Sequence, residues 1–175
     1  MTFVQPSTAG EDEIATTPAD RRLKALLGLL RQSASDTDEA ARARSALDVL
    51  ASNAADHPGV CLYRASALEA EPAPVPLAAV GRQLDPLRAL TLASSCLTSR
   101  NSQHDAIDAP SPRLHAFPIR DALDGSATHV LLIAGAEGVA WDTPLEEYLD
   151  SITRALAVIF MSRSGLTAQG VDVLA

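Results

Sequence analysis

The apolar residues of this chain switch repeatedly between two periods, and that switching limits the fold more than any other feature. Leu23, Leu26, Leu27 and Leu30 follow one another at helical steps, and so do Ala40, Ala43, Leu47, Leu50 and Ala54. At 60 the step becomes two. Val60, Leu62 and Arg64 alternate with Cys61, Tyr63 and Ala65, as in a strand with two different faces. Leu87, Leu90, Ser94 and Leu97 return to helical spacing, and 113–120 and 129–134 read as strands again. Leu145, Leu149, Ile152, Leu156 and Ile159 then close the chain at steps of four and three. The order is helix, helix, strand, strand, helix, weak strand, strand, strand, helix. Strand and helix do not alternate throughout, so a parallel doubly wound sheet is disfavoured. The pattern predicts an α+β fold with a central antiparallel β-sheet.

Local signals mark the boundaries. Thr17 reads as an N-cap, with Pro18 at the first helical position and Asp20 three residues after the cap. Gly28 within this helix costs about 1 kcal/mol against Ala. A second helix is expected from Asp36, with Glu39 closing a capping box, to near His57, before Pro58-Gly59. Ala70 to Pro76 reads as a proline-rich loop and Leu77 to Gly81 as a short strand. Asp85-Pro86 opens a helix whose flank is rich in hydroxyls: Thr91, Ser95, Thr98 and Ser99. A weak edge strand is expected at 104–108, and Asp124-Gly125 reads as the turn between the last two strands. In the final helix Thr143 is expected to cap, Pro144 to open and Glu146 to complete the box, with the end at Arg163 and Gly165. Residues 1–16 read as a flexible tail, 17–164 as one domain and 165–175 as a second tail.

The chain has 175 residues, 47% of them hydrophobic, which suffices for one domain with a real core. Lys and Arg number 14 and Asp and Glu 22, a formal charge of -8. Such a balance is ill suited to phosphate backbones, and with 3% aromatics there are few platforms for bases. No apolar run approaches the roughly 20 residues that span a bilayer. Neither nucleic acid nor membrane is therefore an expected partner. The N-terminus shows no basic-then-apolar leader, and Cys61 and Cys96 do not make a disulfide framework, so the expected location is cytoplasmic.

Four stretches in this order resemble a GAF domain, the sensory module of many signalling proteins. GVCLYRAS is similar to the first strand after the entry helices, and PLAAVG to its partner. RLHAFPIRD followed by THVLLIAGAEG is similar to the later strand pair, and WDTPLEEYLDSITRALAVIFMSR to the closing helix. The resemblance spans roughly residues 20 to 163. It implies that the N- and C-terminal helices cover one face of the sheet, often in a dimer. A helix and loops between Asp85 and Pro112 would roof the other face over a ligand pocket. Members bind cyclic nucleotides, bilins, haem or small metabolites, and some bind nothing, so the cofactor stays unknown. The Asn-Lys-Phe-Asp-Glu set of cyclic-nucleotide binders is not visible. Cys96 is followed by Leu97 rather than the His common in bilin binders. Cys61 with Cys96 does not match the cysteines of the methionine sulfoxide reductases that share the fold.

Five residues are candidates for a pocket: Tyr63, Cys96, Arg100, His115 and Phe117. Cys96 would offer a thiol on the roof helix, although free Cys more often acts as a small buried hydrophobe, and Cys61 more so. His115 shares a strand face with Phe117 and Ile119, and it would meet a polar ligand group if that face is the roofed one. His57, His104, His115 and His129 lack metal-ligand spacing, and His104, Asp105 and Asp108 are commoner as solvated loop residues, so no metal site is expected. No nucleophile elbow, phosphate loop or dinucleotide fingerprint is present, and no catalytic residue is assigned. Leu47, Leu50, Leu145, Leu149, Ile152, Leu156 and Ile159 are the expected dimer interface. The expectation is a non-catalytic regulatory module that binds a small ligand or a protein partner and acts as a homodimer. The alternatives are a small thiol-dependent enzyme, with Cys96 or Cys61 reactive, and an assembly protein whose pocket is filled by side chains.

Overall fold

The computed structural model describes residues 17–32, 38–53, 59–66, 73–105, 112–121, 123–135 and 141–161. Both expected tails lie outside them. The elements are α1 (Pro18–Gln32), α2 (Glu39–Asn53), β1 (Gly59–Ala65), β2 (Pro74–Gly81), α3 (Pro86–Ser99), β3 (Gln103–His104), β4 (Leu114–Arg120), β5 (Ala127–Ala134) and α4 (Thr143–Met161). The five strands form one sheet in the order β2-β1-β5-β4-β3, antiparallel at every pairing. The fold is α+β, as the alternation of periods requires. Among the described residues no helix is long and apolar enough to cross a membrane.

Strand alternation divides the core in two. Val60 and Leu62 of β1 and Leu131 and Ile133 of β5 join the cluster beneath α2 and α4. Tyr63, Val130 and Leu132 join the cluster beneath α3. β2 is an edge strand that begins earlier than its sequence suggests, at Pro74 rather than Leu77. An edge tolerates Pro74 and Pro76, because the missing N–H groups cost nothing on the unpaired side.

α1 packs on α2 and α4 and so forms an outer layer. Its buried residues are Ala25 and Leu29, not the expected leucine face. The reason is Gly28: a Cβ built there would lie 2.8 Å from Val49 Cγ1. Small residues let α1 approach α2 closely, and the helix turns Leu23, Leu27 and Leu30 outward, 56%, 44% and 48% exposed.

The capping predictions hold in part. Thr17 and Asp20 bond reciprocally, with Asp20 N–H donating to Thr17 Oγ1 at 3.2 Å and Thr17 N–H to Asp20 Oδ2 at 3.1 Å. Asp85 accepts from the N–H groups of Leu87 and Arg88. α2, in contrast, is capped by Asp38, which accepts from Ala41 N–H at 3.1 Å; Asp36 and His57 lie outside the described residues. Glu39 is left free for tertiary work. α4 is capped by Asp142, one residue before the expected Thr143. Arg163 and Gly165 lie outside the described residues.

Candidate functional site

α3 turns Ala89, Ala93, Cys96 and Leu97 into the sheet; of the face that the sequence predicts Leu97 is buried, whereas Leu87 and Leu90 are exposed. Alanines bring the helix close to the strands, and fully buried side chains occupy the interface: Leu114, Ala116, Val130 and Leu132. Cys96 is 0% exposed. Burial pushes its thiol up to about 12, only partly opposed by the Arg120 charge. Burial likewise raises Cys61, and it lifts Tyr63 to about 12 with help from Cys61. Arg100 sits exposed at the left-handed C-cap of α3, with φ 58°; its N–H donates to the Cys96 carbonyl and its own carbonyl accepts from Arg120.

His115 and Phe117 lie on the opposite face, with α4 rather than under α3. The His115 ring stacks on Trp141 with centroids 3.5 Å apart and planes 5° apart, and Phe117 follows at 6.0 Å from Trp141. Burial above all, with the neighbouring charges of His104 and Arg113, lowers the His115 pKa to about 4 against the opposing pull of Asp105. The five pocket candidates are therefore split. Tyr63 and Cys96 are in the roofed core, Arg100 is at a helix end, and His115 and Phe117 line a different space.

That space is a cleft of about 580 Å³ between α4 and the β3–β4 edge. Glu146, Asp150, Arg154 and Ala157 form its helical wall, and His104, His115, Phe117 and Arg120 its strand wall, with Trp141 beside them. Sequence reasoning missed Trp141 and the polar flank of α4. The signal was present, since residues 146, 150, 154 and 157 recur at helical steps.

The seven expected interface residues are all 0–4% exposed within a single chain. They are its own core, because the stripe that looked long enough to serve two copies is used in covering one sheet. A second polar centre binds the layers together. Glu39 of α2 takes Arg64 of β1 at 2.7 Å and His129 Nε2 of β5 at 3.1 Å. Burial lowers the His129 pKa, opposed by its hydrogen bond to Glu39. Among the described residues no group of three or more His, Cys, Asp or Glu is placed to hold a metal. Asp105 instead bonds Arg88 and accepts from Leu114 N–H at 2.9 Å; Asp108 lies outside the described residues.

A β2-β1-β5-β4-β3 antiparallel sheet, with one helix on one face and three on the other, places the chain in the GAF fold. No family model and no curated protein matches the sequence. The solved structures it resembles include the GAF domain of a phosphoenolpyruvate-protein phosphotransferase from Coxiella burnetii, with TM-score 0.64 and 14% identity over 87% of this chain and 99% of that one. The nlh2 GAF domain of A. aeolicus in an inactive state gives TM-score 0.63 and 13% identity over 84% and 99%. The free methionine-R-sulfoxide reductase of Neisseria meningitidis, in complex with its substrate, gives TM-score 0.63 and 17% identity over 90% and 96%.

Proposed function

We propose that this chain is a non-catalytic regulatory module of GAF type that works as a homodimer and acts through protein contacts. The observation that carries this reading is the row of exposed leucines on α1. Single apolar residues on a surface need no explanation, but Leu23, Leu27 and Leu30 on one helical face do. Val158 of α4, the helix that α1 packs on, is 55% exposed as well. Charge supports a second copy as the occupant. α1 carries Arg21, Arg22, Lys24 and Arg31 against Asp20, whereas the flank of α4 that bears Val158 also bears the exposed Glu147. A two-fold axis sets α1 of one copy against α4 of the other, with opposite charges around the leucines.

The core directly beneath α3, around Cys96, is filled by side chains, which favours protein contacts over a ligand at Tyr63 and Cys96. A thiol enzyme needs an accessible thiolate, and both cysteines have raised pKa values. The expected result is a dimer in sedimentation at micromolar protein, with Leu27→Glu monomeric and equally helical by circular dichroism. A wild-type chain that stays monomeric to about 1 mM, the scale of a −4 kcal/mol association, would overturn the dimer. An alkylating agent should leave Cys96 unmodified in the native state; rapid labelling would reinstate the enzyme reading.

A further inference from the structure

The cleft beside α4 lies on the face of the sheet away from α3 and reaches round the β3–β4 edge to Asn101 and Ser102, just past the end of α3. Its two ends differ in chemistry. Near Trp141 stands Glu146, in the first turn of α4, exposed and without an ion pair among the described residues. The Trp141 and His115 rings lie beside it, and the His115 imidazole is uncharged at neutral pH. Arg120 stands at the far end of β4, about 17 Å from His115 along the strand at 3.3–3.4 Å per residue. It donates to the Arg100 carbonyl and approaches Asn101 Oδ1 at 3.4 Å, but meets no carboxylate among the described residues. Between the ends, Phe117, Pro118 and Ala157 make an apolar middle. Asp150 and Arg154 answer one another at 2.6 Å, so they leave the two ends unbalanced in opposite directions.

We infer that this cleft binds a short peptide with free termini, its ammonium at Glu146 and Trp141 and its carboxylate at Arg120. A carboxylate beside an aromatic face suits an ammonium group, and a guanidinium suits a carboxylate. The long side chains of Glu and Arg shorten the 17 Å between the strand positions to a gap that two to four extended residues, at about 3.3–3.6 Å each, bridge. A single amino acid holds its charges too close together to reach both. A volume of about 580 Å³ lies within the usual range for small-ligand sites. The inference does not rest on the dimer, because the α4 residues that line the cleft, Glu146, Asp150, Arg154 and Ala157, are not the ones proposed to meet a second copy.

Trp141 is the sole tryptophan of the chain, so its fluorescence reports on this cleft. The tripeptides Ala-Ala-Ala, Ala-Leu-Ala and Ala-Phe-Ala would be titrated, each free, N-acetylated and C-amidated, with calorimetry in parallel. The expected result is saturable binding of a free peptide that weakens tenfold or more when either terminus is blocked. Glu146→Gln should abolish the penalty for acetylation, and Arg120→Gln that for amidation. Both residues are exposed, and unchanged thermal unfolding would show that the fold is kept. Three outcomes overturn the inference: no binding by either method to about 1 mM, equal binding of free and blocked peptides, or variants that leave both penalties intact.

Discussion

On one face of the sheet, α3 settles with Ala89, Ala93 and Cys96 against the strands and leaves side chains where a pocket was expected. On the other, α4 carries larger residues, among them Leu145, Leu149, Ile152 and Leu156, and beside it a cleft of about 580 Å³ remains over β3 and β4. The difference follows from side-chain size. A helix that presents alanines comes close and seals its interface. A helix that presents leucine and isoleucine stands higher, and its polar flank then forms a wall. The core directly beneath α3 is thus filled, and the open spaces lie at the margins: the cleft beside α4, and a groove of about 720 Å³ between the hydroxyl flank of α3 (Thr91, Ser94, Ser95, Thr98) and Ala73 and Pro74 at the start of β2.

Substitutions that add volume should separate the two sides most. Ala93→Leu must push α3 off the sheet, and it is expected to cost about 1–3 kcal/mol in urea unfolding. Ala157→Leu grows into the cleft and should stay within about 0.5 kcal/mol. Equal costs would break the comparison.

Acid should act on the α2–α4 side. His115, at about 4, and His129, lowered by burial, both have folded pKa values beneath the ordinary 6.5. The unfolded chain therefore takes up protons first. The stability these rings contribute is complete above about pH 6.5 and is lost as pH falls toward about 4. Both rings lie on the α2–α4 side, so hydrogen exchange at pH 5 should rise in α2 and α4 before α3. A uniform rise, or one that starts in α3, would go against this division.

The smallest effect concerns the start of the open wall. Asp142→Ala removes the α4 cap and should cost about 1 kcal/mol, whereas Thr143→Ala should cost only a few tenths. Thermal unfolding of the pair distinguishes them.

Element types and order were legible because period-two and helical runs barely overlap in this sequence. Which side of a helix faces inward was less so. In α1 and α3 most of the expected leucine faces turned outward, Leu26 and Leu97 excepted, because small residues (Gly28 against Val49, Ala93 against the sheet) bring helices closer than leucine allows. Sequence periodicity weighs hydrophobicity and overlooks distance of approach. The candidate residues suffered from a related limit. His115 and Phe117 share a strand face, as expected, but alternation alone does not say which layer covers that face. Glu39 read as a cap, and the structure uses it to join three elements.

α4 turns about 100° per residue, so Glu146 and Val158 point about 120° apart from one straight rod. One flank borders the cleft and the other carries the exposed Val158. A ligand and a second copy would therefore lean on the same rod from different sides. Reciprocity then applies: whatever factor an occupied cleft adds to self-association, association must return to the affinity of the cleft. Occupancy would depend on protein concentration as well as ligand concentration, and the chain would measure both at once.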